Sequence, residues 1–424
     1  MTPFVIILAL FVFLLVGVPI AFALGGMGLG LLALQGFNPI IITQALYSST
    51  DSFVLLAVPL FLLMSNVLLK GGVGKDLFAA VQSWVGHWPG GLAVATVISC
   101  ALFSAISGSS IATAATIATV AVPEMITRGY RRPFVLGLLA AGGTLGILIP
   151  PSVPLIIYGV VTEESIVALF LAGIGPGLLL AALFIVFSMT YAHFSGAFEP
   201  LAKASWQERR RSSLRAAPSA ILAVIIIGGI YGGVFTPTES AGVGFVLAVI
   251  ITAAILRTLT WALFKEAALQ AMKTTVTIFL IIAGAKIFAK AITLYRIPHE
   301  VSALILQNFS EPAMFILVVC VVLLILGLFL ESVSMLLIVV PVLFPALAAL
   351  GIDPIWFGIF FMLMIECALI TPPVGLNLFV IQAVANAPLG EVVRGVWPFI
   401  LLMFATVLAI YLFPDLVLYI PFKL

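Results

Sequence analysis

Apolar runs of about twenty residues, the length that crosses a bilayer as a helix, follow one another along the chain with short polar or glycine-rich interruptions between them. The first covers residues 3–34, where glycines at 25, 26, 28 and 30 predict close helix packing or an irregularity within the helix. After a polar link over 43–51 comes a span over 53–69, then an amphipathic stretch over 76–84 expected to lie along the interface. Later spans are expected over 165–191, 218–235, 241–256, 274–294 and 397–418, with a second interfacial stretch over 261–272. The one long hydrophilic segment, 193–217, joins two halves, and no stretch remains for a soluble domain.

Ser107-Gly108-Ser109-Ser110 interrupts an apolar run where a spanning helix would ordinarily continue. Such a break frees backbone groups that lipid cannot satisfy, so it is tolerable only where it faces a cavity or binds something. Alone, the stretch reads equally as the tip of a re-entrant hairpin or as a kink in one long helix packed through Ala112, Thr113, Ala115 and Thr116. Repetition favours the hairpin. Leu330-Glu331-Ser332-Val333-Ser334 interrupts a second run over 313–350, and each break is followed by paired prolines. The first pair, Pro150-Pro151-Ser152, follows Gly142-Gly143-Thr144-Leu145-Gly146; the second sits in Thr371-Pro372-Pro373-Val374-Gly375-Leu376-Asn377. From 150 to 372 is 222 residues and from 107 to 331 is 224, so two different features recur at nearly one offset, the mark of an internal repeat. The first repeat spans 1–192, with a hairpin at about 91–127 and a broken helix at about 133–161; the second spans 218–424, with a hairpin at about 313–350 and a broken helix at about 354–386.

With 63% hydrophobic residues, 8% charged residues and a mean hydropathy of +1.33, the 424-residue chain is expected to be an all-α polytopic membrane protein lying in the lipid bilayer. The net charge of +2 then says little about partners, and nucleic-acid binding has no support. Cys100, Cys320 and Cys367 lie in apolar runs without metal-ligand spacing and read as small hydrophobes. The opening run lacks a charged leader and reads as a retained helix. Alternation of spans puts 14 of the 18 basic residues in the cytoplasm if the first hairpin opens there, with the N-terminus also cytoplasmic, which satisfies the positive-inside rule. In that scheme the second hairpin opens to the other side, so the repeats are inverted.

Inverted hairpins facing broken helices place four helix ends near the membrane centre. N-terminal ends suit an anion, while C-terminal ends and loop carbonyls suit a small hard cation such as sodium. The sodium ligands expected are Ser107, Ser109, Gly143 and Thr144 in the first half, and Glu331, Ser332, Ser334, Thr371 and Gly375 in the second. Substrate is expected against the tips and proline breaks: Ser107, Gly108, Ser109, Ser110, Pro150, Pro151, Ser152, Glu331, Ser332, Pro372, Pro373 and Asn377. Glu331 is an intramembrane carboxylate and reads as a cation ligand, proton site or gate, against the alternative of a hydrated vestibule charge. Glu366 reads either as a second functional carboxylate or as half of a structural ion pair with Lys286 or Lys290. No nucleophile-base pair, HExxH or P-loop is present and the three histidines fall in loops, so no enzyme, no ATP use and no cofactor beyond coupling sodium are expected.

Four segments in order resemble one family. They are residues 107–115, the pair Gly143-Thr144-Leu145-Gly146 and Ile149-Pro150-Pro151-Ser152, Phe235-Thr236-Pro237-Thr238-Glu239, and Ile370-Thr371-Pro372-Pro373-Val374-Gly375. Together they look like the large membrane subunit of tripartite ATP-independent periplasmic (TRAP) transporters, over essentially the whole chain. Glu331 departs from the Asp more usual in that family but keeps the carboxylate. The resemblance implies a sodium-driven elevator transporter in the bacterial inner membrane, with scaffold and transport domains. It also implies import of an organic acid handed over by a periplasmic substrate-binding protein, with a small four-helix membrane subunit as partner. Spacing alone reaches only a secondary transporter with inverted repeats. The alternatives are a stand-alone dicarboxylate/sodium symporter of related fold and, after it, a channel; the substrate is not legible, because the binding protein does much of the selecting.

Overall fold

The computed structural model describes residues 3–36, 40–195, 201–308 and 311–423, and within them the apolar runs are helices. The first half holds α1 (Pro3–Leu15), α2 (Ile20–Leu34), α3 (Ile40–Thr50), α4 (Ala57–Lys70), α5 (Val73–Val85), α6 (Gly91–Ser107), α7 (Ser110–Thr127), α8 (Arg132–Leu148), α9 (Val153–Thr162) and α10 (Ile166–Ser195). The second holds α11 (Trp206–Tyr231), α12 (Pro237–Ile250), α13 (Trp261–Leu294), α14 (Ile297–Asn308), α15 (Pro312–Leu326), α16 (Ser332–Ala349), α17 (Pro354–Ile370), α18 (Leu376–Ala385), α19 (Leu389–Leu412) and α20 (Asp415–Lys423). Among the described residues eight helices are long and apolar enough to cross a bilayer, or nine if α8 and α9, bent by 41° at their break, count as one span.

The repeat is visible in the backbone. α7 and α16 are each 18 residues long and start at 110 and 332; α8 and α17 are each 17 long and start at 132 and 354; α9 and α18 are each 10 long. The residues that end α8 and α17 share one extended conformation, Ile149 at φ −84°, ψ 120° and Thr371 at φ −84°, ψ 127°. The bond within each proline pair is cis. The halves also exchange partners: α7 packs on α18, and α16 packs on α9. At the centre, residues 134–148 of α8 and 355–370 of α17 are all buried, which is why these segments are apolar all round rather than amphipathic. Away from that centre α13 packs on α2 and α4, α4 also packs on α12, and α5 packs on α11.

Several elements differ from the sequence expectation. The first run breaks at residues 16–19, where Gly17 takes φ +86° and Pro19 precedes α2, and not at the glycines beyond. Those glycines serve packing: a Cβ at Gly28 would stand 2.8 Å from the backbone nitrogen of Phe288, so α2 and α13 approach closely. The polar link expected at 43–51 is largely the helix α3. The interfacial stretch and span expected at 261–272 and 274–294 are one helix, because no proline interrupts them and Thr260 caps the start by accepting from the Leu263 N–H. Part of the basic linker, residues 196–200, lies outside the described residues; its end, from Trp206, is continuous with the following span and begins in a Ser205/Glu208 capping box. A second capping box accounts for Thr236-Pro237-Thr238-Glu239, which starts α12. The two hairpins also differ: α6 packs on α7, whereas α15 packs on α17 and α16 on α14, with an apolar cavity of about 420 Å³ between α15 and α16.

α8 and α19 meet backbone to backbone, since a Cβ at Gly395 would fall on the Pro133 carbonyl oxygen and one at Gly137 on the Gly395 carbonyl oxygen. Gly395→Ala therefore lowers stability by about 1–3 kcal/mol, the usual cost of overpacking. Gly390→Ala in the same helix, with nothing within 4 Å of the added carbon, leaves stability unchanged or raised. Thermal unfolding of the two purified variants checks this; equal midpoints contradict the packing.

Candidate functional site

The first tip is a helix end and a helix start separated by two residues. Gly108 closes α6 in the left-handed region at φ +61°, its N–H donating to the Ser104 carbonyl at 3.0 Å. Ser109, extended at φ −141°, caps α7 by accepting from the Ala112 N–H at 3.4 Å. Ser107 and Thr113 hydroxyls share a hydrogen bond of 2.8 Å, and Ser107, Ser110 and Thr113 are buried.

This tip lies directly on the first broken helix. A Cβ at Gly108 would stand 2.6 Å from the Pro151 carbonyl oxygen, one at Gly143 would stand 2.9 Å from the Ser110 oxygen, and one at Gly146 would stand 2.6 Å from the Ser109 oxygen. The sequence-predicted Ser107, Gly108, Ser109, Ser110, Gly143, Pro151 and Ser152 are thus brought together by glycines that let carbonyl oxygens approach. The Thr144 hydroxyl is buried and donates to Ala141 in its own helix, while the Ser152 hydroxyl is buried with no partner among the described residues.

The second tip is built differently. Glu331 is itself the N-cap of α16: its carboxylate accepts from the Val333 N–H at 3.4 Å, the Ser334 N–H at 3.2 Å and the Ser334 hydroxyl at 2.9 Å. A negative side chain on a helix N-terminus is favourable for the dipole as well as for the free N–H groups. α15 and α16 both pack on α17 of the second broken helix, closely at Gly327, where an added Cβ would meet Ala368. Glu331 and Ser334 line a cavity of about 540 Å³ with Gly17, Pro19 and Thr277, between the α1–α2 break and α13. In the second break the Thr371 hydroxyl donates to the Cys367 carbonyl at 2.6 Å, and Gly375 takes φ +51° at the start of α18.

Two buried polar side chains stand out against this background. Glu366 is 1% exposed and Asn377 is fully buried, and neither carboxylate oxygen of the first nor either amide atom of the second has a hydrogen-bond partner among the described residues. The Ser110 side chain is the polar neighbour acting on Glu366, which ties the second broken helix to the first tip. Neither Lys286 nor Lys290 pairs with Glu366 among the described residues, so the ion-pair alternative is not formed. Lys286 is half-buried in a small apolar pocket beside Ile157 of α9 and Leu337 and Pro341 of α16. The sequence signal that was available but passed over is Gly17-Val18-Pro19, a helix-breaking triplet inside an apolar run, which lines the Glu331 cavity.

Comparison with known proteins places this arrangement. A sequence model of the family described as "Tripartite ATP-independent periplasmic transporter, DctM component" matches residues 7–416. The C4-dicarboxylate TRAP transporter large permease protein DctM of Pseudomonas aeruginosa is 39% identical over 376 residues, 89% of this chain and 88% of that one. The isethionate TRAP transporter permease protein DctMQ of Oleidesulfovibrio alaskensis is 35% identical over 93% of this chain but only 62% of its own length. The crystal structure of the Alcanivorax borkumensis YdaH transporter shares the fold, with a TM-score of 0.64 over 90% of this chain and 88% of that one at 14% identity.

At the first tip, Gly108→Ala forces a side chain into the left-handed region and toward the Pro151 carbonyl, and costs about 1–2 kcal/mol from the backbone alone. At the second, Glu331→Ala leaves two helix N–H groups without their cap and lowers stability by about 1 kcal/mol, whereas Glu331→Asp, a good N-cap, retains most of it. Thermal shifts of the three variants check both; a Glu331→Ala variant as stable as the parent contradicts the cap.

Proposed function

Because the chain belongs to the DctM component family of tripartite ATP-independent periplasmic transporters, a family of multi-pass membrane transport proteins, we propose that it imports a small organic anion driven by sodium entry, with one sodium site at each tip-and-break unit. The observation that carries this reading is the buried gathering of carbonyl and hydroxyl oxygens where the first tip meets the first break, with a carboxylate and a hydroxyl at the second tip. In the first half the carbonyls of Ser109, Ser110 and Pro151 approach α8 and the tip, and Ser107 and Thr113 add hydroxyls. In the second, Glu331 and Ser334 supply a carboxylate and a hydroxyl beside a cavity, and Thr371 and Gly375 lie at the break. Neutral oxygens with at most one carboxylate suit a monovalent hard cation.

The anion is proposed to sit between the units, where the N-termini of α7, α9 and α18 offer N–H groups and positive dipole ends, that of α16 being taken by the Glu331 carboxylate. The relatives' names cover a C4-dicarboxylate and a sulfonate, isethionate, which have in common a small skeleton and an anionic head. Delivery by a periplasmic binding protein belongs to the same proposal, as does a small membrane subunit. The isethionate relative's DctMQ, of which this chain covers 62%, has length to spare for such a subunit within one polypeptide. In this proposal the tips and broken helices move as one body against the outer helices, in the inner membrane, with the N-terminus and most basic loops cytoplasmic.

Proteoliposomes holding the chain with its small subunit and binding protein take up organic anion only under an inward sodium gradient, with a Hill coefficient for sodium above one. Equal uptake with choline or potassium in place of sodium contradicts the coupling. Glu331→Gln keeps an acceptor for the helix but removes the charge, at a cost in cation binding of about 1–3 kcal/mol, and so raises the sodium concentration for half-maximal uptake roughly ten- to hundredfold. An unchanged sodium dependence assigns the second site to Ser332, Ser334, Thr371 and Gly375 without Glu331.

A further inference from the structure

A cavity rich in basic side chains lies away from both tips. Lys75, Arg128, Lys203, Arg211 and Arg215 line a cavity of about 580 Å³ between α5, the end of α7 and the start of α11, with Asp76 and Glu208 as its acids. The acids are engaged elsewhere or outnumbered. Glu208 accepts from the Ser205 N–H at 2.8 Å and from the Ser205 hydroxyl at 3.0 Å, completing the cap of α11. Asp76 has both Lys75 and Arg215 acting on it, and burial still holds its carboxyl above the usual range. Arg128 pairs with Glu124 at 3.3 Å, but Lys75, Lys203, Arg211 and Arg215 form no ion pair among the described residues. Cations gathered in one concavity repel one another, and an anion between them relieves that repulsion.

The setting selects the kind of anion. Beside the cavity Trp84 and Trp206 stand edge to face with ring centroids 5.8 Å apart, and they are 43% and 70% exposed. The Arg209 guanidinium lies 5.1 Å from the centre of the Trp84 ring, and the Trp84 N–H donates to the Ser213 hydroxyl at 3.0 Å. Exposed indoles anchored in this way mark the headgroup level of a bilayer, where an apolar ring face meets polar groups. α5 carries no charge from Leu77 to Val85, while its start brings Lys75 and Asp76 to the cavity. A soluble anion needs no such aromatic neighbour, whereas a phospholipid needs both a basic pocket and an apolar surface for its chains.

We propose that this cavity holds the phosphodiester headgroup of an anionic phospholipid, clamping the linker and the start of α11 onto α5. The clamp adds to protein contacts already present there, the Arg209 N–H to the Ser83 carbonyl at 3.2 Å and the Ser212 hydroxyl to the Ser83 hydroxyl at 2.9 Å.

Native mass spectrometry of the delipidated full-length chain, titrated with phosphatidylglycerol, phosphatidylcholine or glycerol phosphate, tests this. The parent protein retains phosphatidylglycerol in preference to phosphatidylcholine, and glycerol phosphate does not displace it. Lys203→Gln with Arg211→Gln and Arg215→Gln weakens phosphatidylglycerol roughly fivefold per charge removed, about a hundredfold in all. The charge-preserving pair Arg211→Lys and Arg215→Lys retains most of the binding, which separates loss of charge from loss of fold. Equal retention of the two lipids, unchanged binding in the triple variant, loss of binding in the lysine pair equal to that in the triple, or displacement by glycerol phosphate overturns the assignment.

Discussion

A backbone N–H or C=O left open inside hydrocarbon costs several kcal/mol, and the two repeats each open their helices twice, after Ser107 and Leu148 and after Leu326 and Ile370. Side chains meet only some of the resulting groups. Side chains cap two of the helix starts, Ser109 for α7 and Glu331 for α16. The starts of α9 and α18 have no side-chain cap, and glycines let carbonyls approach the breaks, Gly108 lying against the Pro151 carbonyl and Gly146 against that of Ser109. The exchange of partners between halves, α7 on α18 and α16 on α9, means that neither half completes its surroundings alone. A break in one repeat is sheltered by a helix of the other, and a transport site at such a junction necessarily draws on both.

The two junctions are alike in backbone and unlike in charge. The first tip is neutral, hydroxyl-rich and pressed onto its own broken helix. The second carries a carboxylate that caps its helix and faces a cavity bordered by the α1–α2 break and α13. Glu366, buried on α17 and near Ser110, puts a further carboxylate between the two units. Within one inverted scaffold, then, the electrostatics are distributed unevenly, with the buried Glu366 and the half-buried Glu331 both contributed by the second repeat.

Much of this was legible in the sequence because breaks in apolar runs are rare and these recur at a fixed offset. Spacing from Pro150 to Pro372 anticipates the helix starts at 110 and 332 and at 132 and 354. What was missed depends on context. Gly17-Val18-Pro19 and the glycines from 25 to 30 look alike as helix-weakening signals, and only packing shows that the first ends a helix while Gly28 seats α2 on α13. The polar stretches at 43–51 and 206–217 look like links but are largely helical, and 261–272 runs unbroken into the span after it, since polarity without proline does not end a helix. For Glu331 the sequence offers a ligand or a hydrated charge, and the structure adds a third role as the cap of α16. That Glu366 lacks a basic partner required the positions of Lys286 and Lys290.

Inversion of the two halves fixes on which side each hairpin opens. Thr127 and Ala349 are the exposed last residues of α7 and α16, at equivalent positions 222 residues apart. In a background where Cys100, Cys320 and Cys367 are replaced, Thr127→Cys and Ala349→Cys can be labelled by a membrane-impermeant maleimide in oriented vesicles. The account predicts that Thr127→Cys reacts only from the cytoplasmic side and Ala349→Cys only from the opposite one; labelling of both from the same side contradicts it.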